Sequence, residues 1–236
     1  MEAVCSFIEL AATTTEVFII ISIIMTISVP DYSFGKNKSV FLVCWVIDSL
    51  YVVCMNSWMI FSFFTPTGTI LFLPILLGKL LSDSRYFLRV TACTLAMYIV
   101  LTIDYILVIG VGLLSGTPRD TFQELLLPGL PRIILLIADK ACDVIAYYLL
   151  RKYLSKLASL KNSRLLFMLI CSAAVYGIMQ YQIYIAVYGN FFQLQGAVMI
   201  TLFLLLAFIS VLFISQLASA SLENEKMTNN MLATMN

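Results

Sequence analysis

The chain has 236 residues, of which 61% are apolar and 11% are charged, and its mean hydropathy is +0.99. Soluble domains are about half apolar and about a quarter charged. This chain therefore has too few charged side chains to cover a water-soluble globule of its size. A bilayer solvates an apolar exterior, which predicts an all-α integral membrane protein.

Several classes of chemistry are excluded by residues that the chain lacks. It contains no histidine, so Ser-His-Asp catalysis, Cys-His catalysis and the usual His-containing zinc sites have no residues to build them. No GxxxxGK[ST] or GxGxxG phosphate loop is present. We therefore expect no catalytic residue, no cofactor, no metal site and no nucleic-acid binding in this chain. None of its six cysteines forms a CxxC pair, and five lie in apolar runs, which is typical of buried apolar residues.

Seven segments are apolar enough to predict membrane spans, for which about 20 mostly apolar residues are needed. The first reads as a retained span, since the N-terminus carries Glu2, Glu9 and Glu16 where a signal peptide has basic residues. The third is the shortest and has Pro66 and Pro74 beside it or within it, so it could be kinked or partly re-entrant. In chain order the predicted spans are Phe7–Val29, Val40–Phe64, Thr69–Leu81, Leu88–Leu114, Leu130–Leu150, Leu165–Tyr188 and Ala197–Leu217.

The loop charges predict the orientation. Eleven of the 14 basic residues fall in loops one, three and five and in the C-terminal tail, and five of these lie in loop five, Arg151–Arg164. The opposite side has only Arg119 and Arg132, and Lys140 lies inside the fifth span. Basic loops stay on the cytoplasmic side. We therefore expect the N-terminus outside and the C-terminus inside a plasma membrane, with loop five beside anionic headgroups.

The composition changes abruptly after the last span, which divides the chain into a transmembrane domain, 1–217, and a polar tail, 218–236. The tail has no Gly or Pro and predicts a cytoplasmic helix that continues from the last span. A weak heptad seam could pair two copies of this helix. Its main positions are Leu217, Asn224, Met227 and Met231. We expect such a helix to lead into a further domain beyond Asn236.

Charged residues at membrane depth form the candidate site, because each costs a few kcal/mol unless it is paired or hydrated. In the fifth span, Lys140 lies three residues before Asp143 and can pair with it, while Asp139 shares a face with Asp143. Asp104 lies near the middle of the fourth span. We expect Asp104, Asp139, Lys140 and Asp143 either to line a polar cavity that binds a ligand or relays protons, or to fix the packing of the helices.

Three further carboxylates lie at membrane depth. Glu9 and Glu16 are seven residues apart on one face of the first span. We expect Glu9 to reach water and Glu16 to face the bundle. For Asp48, in the second span, we prefer the interpretation as an interhelical contact over a functional role.

The end of the chain resembles a known family. The last span ends in Phe213–Leu217 (FISQL), and the polar helix Leu222–Leu232 (LENEKMTNNML) follows at once. Short-looped spans followed by such a helix resemble the membrane-sensor region of bacterial GHKL-type sensor histidine kinases, of the peptide-pheromone receptor type. The resemblance implies a homodimeric two-component sensor for quorum sensing. It also implies that an extracellular peptide or small ligand shifts the bundle and that the last span transmits the change to a kinase beyond Asn236.

The alternative is a small secondary transporter or channel-like protein that uses its intramembrane carboxylates. Asp48 and Asp104 each follow an isoleucine on spans that run in the same direction, which could be a faint repeat. A membrane-embedded enzyme is disfavoured because the chain lacks histidine and a nucleophile beside the carboxylates.

Overall fold

The computed structural model describes residues 2–29, 34–57, 64–81, 85–114 and 129–159, with short pieces at 165, 168–170, 172–174 and 177–178. All regular structure in these ranges is helical, as predicted. The helices are α1 (Glu2–Ser28), α2 (Phe34–Ser57), α3 (Phe64–Leu81), α4 (Tyr86–Leu114), α5 (Leu130–Leu154) and a 3₁₀ turn at Ser155–Ser159.

Helix α1 lies at the centre of the described bundle and packs against α2, α4 and α5. Its second half is apolar around the whole circumference, which is the pattern of a helix enclosed by other helices. The fully enclosed side chains are at most 2% exposed. They are Val17, Ile19, Ile20, Ile21, Ile23, Ile24, Met25 and Ile27.

Helix α2 begins earlier than the sequence predicted. Residues 34–39 were expected to belong to a cytoplasmic loop, but the helix starts at Phe34 and continues past a kink at Asn37, where φ is −111° and ψ is 17°. Gly35, Asn37 and the two flanking lysines gave this stretch a loop-like composition. The predicted end at Phe64 was also wrong, since α2 ends at Ser57 and Phe64 begins α3.

Helix α3 is a single helix of 18 residues that continues through Pro74. It begins five residues before the predicted Thr69, and Pro66 lies in its first turn, where a missing N–H costs no hydrogen bond. Eighteen residues rise about 27 Å, close to the thickness of a bilayer core of about 30 Å.

Helices α4 and α5 match their predicted spans most closely. Helix α4 starts two residues before the predicted Leu88 and ends at Leu114 as predicted, while α5 starts at Leu130 and extends past the predicted Leu150 to Leu154. The start of loop five is therefore helical rather than irregular.

Side-chain contacts give the relative directions of the helices. Trp45 Nε1 donates to the Thr14 carbonyl at 2.8 Å, and the rings of Phe41 and Phe18 lie 4.9 Å apart, so α1 and α2 are antiparallel. Helices α3 and α4 are also antiparallel, because Thr69 meets Cys93 while Pro74, further along α3, meets Arg89.

Helix α5 runs parallel to α1. Glu9 contacts Arg132 near the start of both helices, and Thr26 Oγ1 lies 3.1 Å from the Tyr147 hydroxyl near their ends. A bundle in which α1 and α5 share a direction needs an even number of chain reversals between them.

Three of the helices are long and apolar enough to cross a membrane. The qualifying segments are Ser6–Ser28, Phe34–Met55 and Tyr86–Val108, and Thr67–Leu81 is a shorter apolar segment. Most of predicted span six, all of span seven and the tail 218–236 lie outside the described residues.

Candidate functional site at the centre of the bundle

Lys140 of α5 is the centre of an ionic cluster at mid-helix. Its Nζ lies 2.7 Å from Asp139 Oδ2 and 3.0 Å from Asp143 Oδ2. The same Nζ lies 3.5 Å from Glu16 Oε2 on α1 and 3.5 Å from Asp104 Oδ1 on α4. One ammonium group therefore joins carboxylates from three helices.

The structure brings together all four residues that the sequence singled out. The predicted pair of Lys140 and Asp143 is confirmed. Asp139 also contacts Lys140, at a shorter distance than Asp143 does. Asp139 directly precedes Lys140 in α5. The three-residue spacing that predicted the pair with Asp143 does not consider adjacent residues.

Glu16 is the member that was not assigned to the site from the sequence. It was expected to face the bundle, and it does so at the α1–α5 contact. The sequence feature that could have assigned Glu16 to the site is its seven-residue spacing from Glu9, which places both residues on one face of α1. Glu9 was expected to reach water; its side chain is partly exposed, and it also pairs with Arg132 at 2.6 Å.

The cluster carries more negative than positive charge. Four carboxylates surround one ammonium, which leaves a formal excess of three negative charges if all are ionised. Between Arg164 and Glu223 the sequence contains no Lys, Arg, Asp or Glu. The predicted sixth and seventh spans thus contain no basic side chain that could balance the excess.

Each buried aspartate of α5 uses one oxygen and leaves the other unsatisfied. Asp139 and Asp143 are 5% and 1% exposed, and each turns Oδ2 to Lys140. Their Oδ1 atoms, and Oδ1 of Asp104, are buried and accept no hydrogen bond within the described residues. Buried carboxylate oxygens normally have a donor or a cation beside them.

The three aspartates also lie close enough together to share one cation. One oxygen from each of Asp104, Asp139 and Asp143 lies within 4.8 Å of the others. The sequence assigned no metal ligands, because it places Asp104 in a different span and does not show that α4 and α5 meet at this level.

A second buried acid lies between α2 and α3. Asp48 is 0% exposed, and its Oδ1 accepts a hydrogen bond from Thr69 Oγ1 at 3.3 Å. Its Oδ2 has no hydrogen-bond partner in the described part of the chain. This contact joins two helices, in agreement with the interpretation of Asp48 as an interhelical contact.

Two arginines join the ends of neighbouring helices in this bundle. Arg85 Nη2 donates to the Ser28 carbonyl at 3.0 Å, at the end of α1. Arg89 is 2% exposed, and its Nε donates to the Pro74 carbonyl at 3.2 Å. Both were counted from the sequence as loop charges, but Arg89 lies in the first turn of α4 and is enclosed by α3 and α4.

The predicted signalling seam lies outside the described residues. Its positions Leu217, Asn224, Met227 and Met231 therefore stay predictions. The described cysteines Cys44, Cys54, Cys93 and Cys142 are free thiols. Cys44 and Cys93 are buried as expected, whereas Cys54 is exposed and Cys142 is half-buried. No family model, curated protein or solved structure matches the chain.

Proposed function

We propose that this chain is the membrane-embedded sensing region of a two-component sensor histidine kinase. In this proposal it crosses the plasma membrane seven times, with the N-terminus outside. Residues 1–217 sense the signal, and the cytoplasmic helix 218–236 passes it to a kinase domain. The observation that carries the proposal is the Lys140 cluster, which holds α1, α4 and α5 together through ionic contacts at mid-helix.

A sensor needs a bundle with two packings of similar free energy. The Lys140 cluster can supply them, because one ammonium has four carboxylates from which to choose partners. A ligand that draws Glu16 or Asp104 away from Lys140 changes how α1 and α4 pack on α5. Asp139 and Asp143 keep Lys140 neutralised in either arrangement, since they lie on the same helix.

The seven-span topology is supported by the helix directions and the loop charges. Helices α1 and α5 are parallel, while α1 with α2 and α3 with α4 are antiparallel, as in successive crossings. The distribution of eleven basic residues on one side and two on the other supports a cytoplasmic C-terminus.

The first experiment is the intact mass of the native gene product, together with its reading frame past Asn236. The proposal expects a product much heavier than the 26.4 kDa of this chain, with a histidine and an ATP-binding region in the added part. A native product of 26.4 kDa would contradict the kinase proposal.

The output of the tail can be tested separately. In a homodimer that signals through the seam, a charged residue in place of Met227 or Met231 would uncouple ligand from kinase activity and leave membrane insertion intact. Signalling at the normal level in such variants contradicts the role of the seam.

The second candidate function is a cation-coupled transporter, and the excess of carboxylates over lysine is the observation that favours it. Proteoliposomes loaded with a pH-sensitive dye distinguish the two. A proton-coupled transporter dissipates an imposed proton gradient, and Asp104→Asn abolishes that flux. A sensor leaves the gradient intact.

A further inference from the structure

We propose that Asp104, Asp139 and Asp143 form a binding site for one divalent metal cation beside Lys140. The inference goes beyond the sensing role, since it holds whether the bundle senses or transports. The site lies where α4 meets α5 and takes its ligands from both helices.

The two oxygens of Asp139, and likewise of Asp143, have different surroundings. Asp139 and Asp143 direct Oδ2 to the Lys140 ammonium. Their Oδ1 atoms are buried and have no hydrogen-bond donor in the described bundle. Asp139 and Asp143, both more than nine-tenths buried, therefore each keep one oxygen without a described donor. Asp104 Oδ1 also lacks a hydrogen bond among the described residues and lies 3.5 Å from the Lys140 ammonium. One oxygen from each of the three aspartates lies within 4.8 Å of the others.

The Lys140 cluster carries more negative than positive charge. A formal excess of three negative charges at membrane depth is costly, and Lys140 is the single basic residue that contacts these four carboxylates in the described bundle. The stretch between Arg164 and Glu223 supplies no further basic side chain. A divalent cation reduces the excess from three charges to one, and protons on two carboxylates achieve the same.

The chemistry of the ligands selects the kind of metal. Three carboxylate oxygens without sulfur or imidazole suit hard cations such as Mg²⁺, Ca²⁺ and Mn²⁺. The oxygens lie within 4.8 Å of one another. Oxygens that share one such cation at about 2.0–2.6 Å from it are separated by no more than roughly 5 Å, so small side-chain rotations suffice to bring all three oxygens onto one cation.

The test uses the full chain in lipid nanodiscs and Mn²⁺ as the probe, with free Mn²⁺ measured by electron paramagnetic resonance. We expect saturable binding of one Mn²⁺ per chain, displaced by Ca²⁺ or Mg²⁺. Loss of an outer-shell partner weakens metal sites about 10–100-fold, so removal of a direct ligand in Asp104→Asn is expected to weaken binding at least about tenfold.

The matched control is Asp48→Asn, which neutralises another buried membrane carboxylate that lies between α2 and α3 and contacts Thr69. It is expected to leave Mn²⁺ affinity unchanged. Helix content and elution volume verify that both variants fold, and Asp104→Glu, which keeps the charge, is expected to retain part of the affinity.

Three results overturn the inference. The first is a folded wild-type chain that shows no saturable Mn²⁺ binding, because protons then neutralise the cluster. The second is equal weakening by Asp48→Asn, which indicates general attraction to negative charge. The third is unchanged affinity in Asp104→Asn. None of these results bears on signalling output, so the proposed function is tested independently.

Discussion

Arg132 Nε of α5 donates a hydrogen bond to Glu9 Oε1 of α1 at 2.6 Å. It is the first of three contacts spaced along the same pair of parallel helices, followed by Lys140 with Glu16 and by Tyr147 with Thr26. Acidic side chains of α1 thus meet basic side chains of α5 at two successive levels. The pairing fixes which face of α1 turns toward α5 and so brings Glu16 into the Lys140 cluster.

The Glu9–Arg132 pair is expected to contribute little by itself, because its side chains are 39% and 28% exposed. A double-mutant cycle with Glu9→Ala and Arg132→Ala, measured by unfolding in mixed micelles, should give a coupling energy of about 0.5–1 kcal/mol. A cycle with Glu9→Ala and Lys36→Ala serves as the control. The effects of these two substitutions on the free energy of unfolding should be additive. A zero coupling energy for the first pair would mean that the contact does not set the α1–α5 register.

Lys140→Met is expected to be the most damaging single change in the cluster. It leaves four carboxylates without their shared cation, and removal of one partner from a buried ion pair costs about 3–5 kcal/mol. The free energy of unfolding in mixed micelles measures the loss. Lys36→Met, at an exposed site on α2, should have almost no effect. Adding Asp143→Asn to Lys140→Met should recover part of the stability, and equal stability of the two lysine variants would contradict the account.

Two glycines allow the same substitution to be compared in opposite environments. A Cβ at Gly78 would lie 2.5 Å from Nη2 and 3.1 Å from Cζ of the buried Arg89, whereas a Cβ at Gly110 meets no atom of the described residues within 4 Å. Gly78→Ala should therefore destabilise the bundle by about 1–3 kcal/mol through overpacking. Gly110→Ala should be neutral or stabilise α4 by up to about 1 kcal/mol, because alanine favours helix. The two melting temperatures should shift in opposite directions, and a tolerated Gly78→Ala would place Arg89 elsewhere.

Asp48 provides a test of what a buried carboxylate costs in this bundle. Asp48→Asn keeps an oxygen that can accept the hydrogen bond from Thr69 Oγ1 and removes a charge that has no described counterion. We expect unchanged or increased stability. Thr69→Val removes the donor and leaves the acid unsatisfied, at a cost of about 1–3 kcal/mol. Should Asp48→Asn instead abolish function at full stability, Asp48 would belong to the active machinery.

The sequence predicted α4 well because it is a long apolar segment bounded by turn residues, and α5 because Pro128 and Gly129 mark its start. It misplaced the start of α2 because Gly35 and Asn37 are poor helix formers, and packing against α1 outweighs that local preference. It shortened α3 because Pro66 was taken as a helix breaker, although proline is compatible with a first turn.

The candidate site was predicted by residue type and only partly by contact. Lys140 and Asp143 share a helix, so spacing alone predicts their ion pair. Glu16 and Asp104 lie on other helices, and their meeting with Lys140 depends on how α1 and α4 rotate against α5. That rotation is set by packing over the whole interface, which a single sequence does not display.

The most direct test of the central claim is the phosphorylation of the native gene product in inside-out membrane vesicles supplied with labelled ATP. The account predicts ATP-dependent labelling of histidine in the wild type. It also predicts a change of about fivefold or more in Lys140→Met, since 1 kcal/mol of coupling already shifts a two-state ratio by that factor. Absence of labelling, or an equal level in a correctly inserted Lys140→Met variant, would contradict the claim that this bundle senses a signal through the Lys140 cluster.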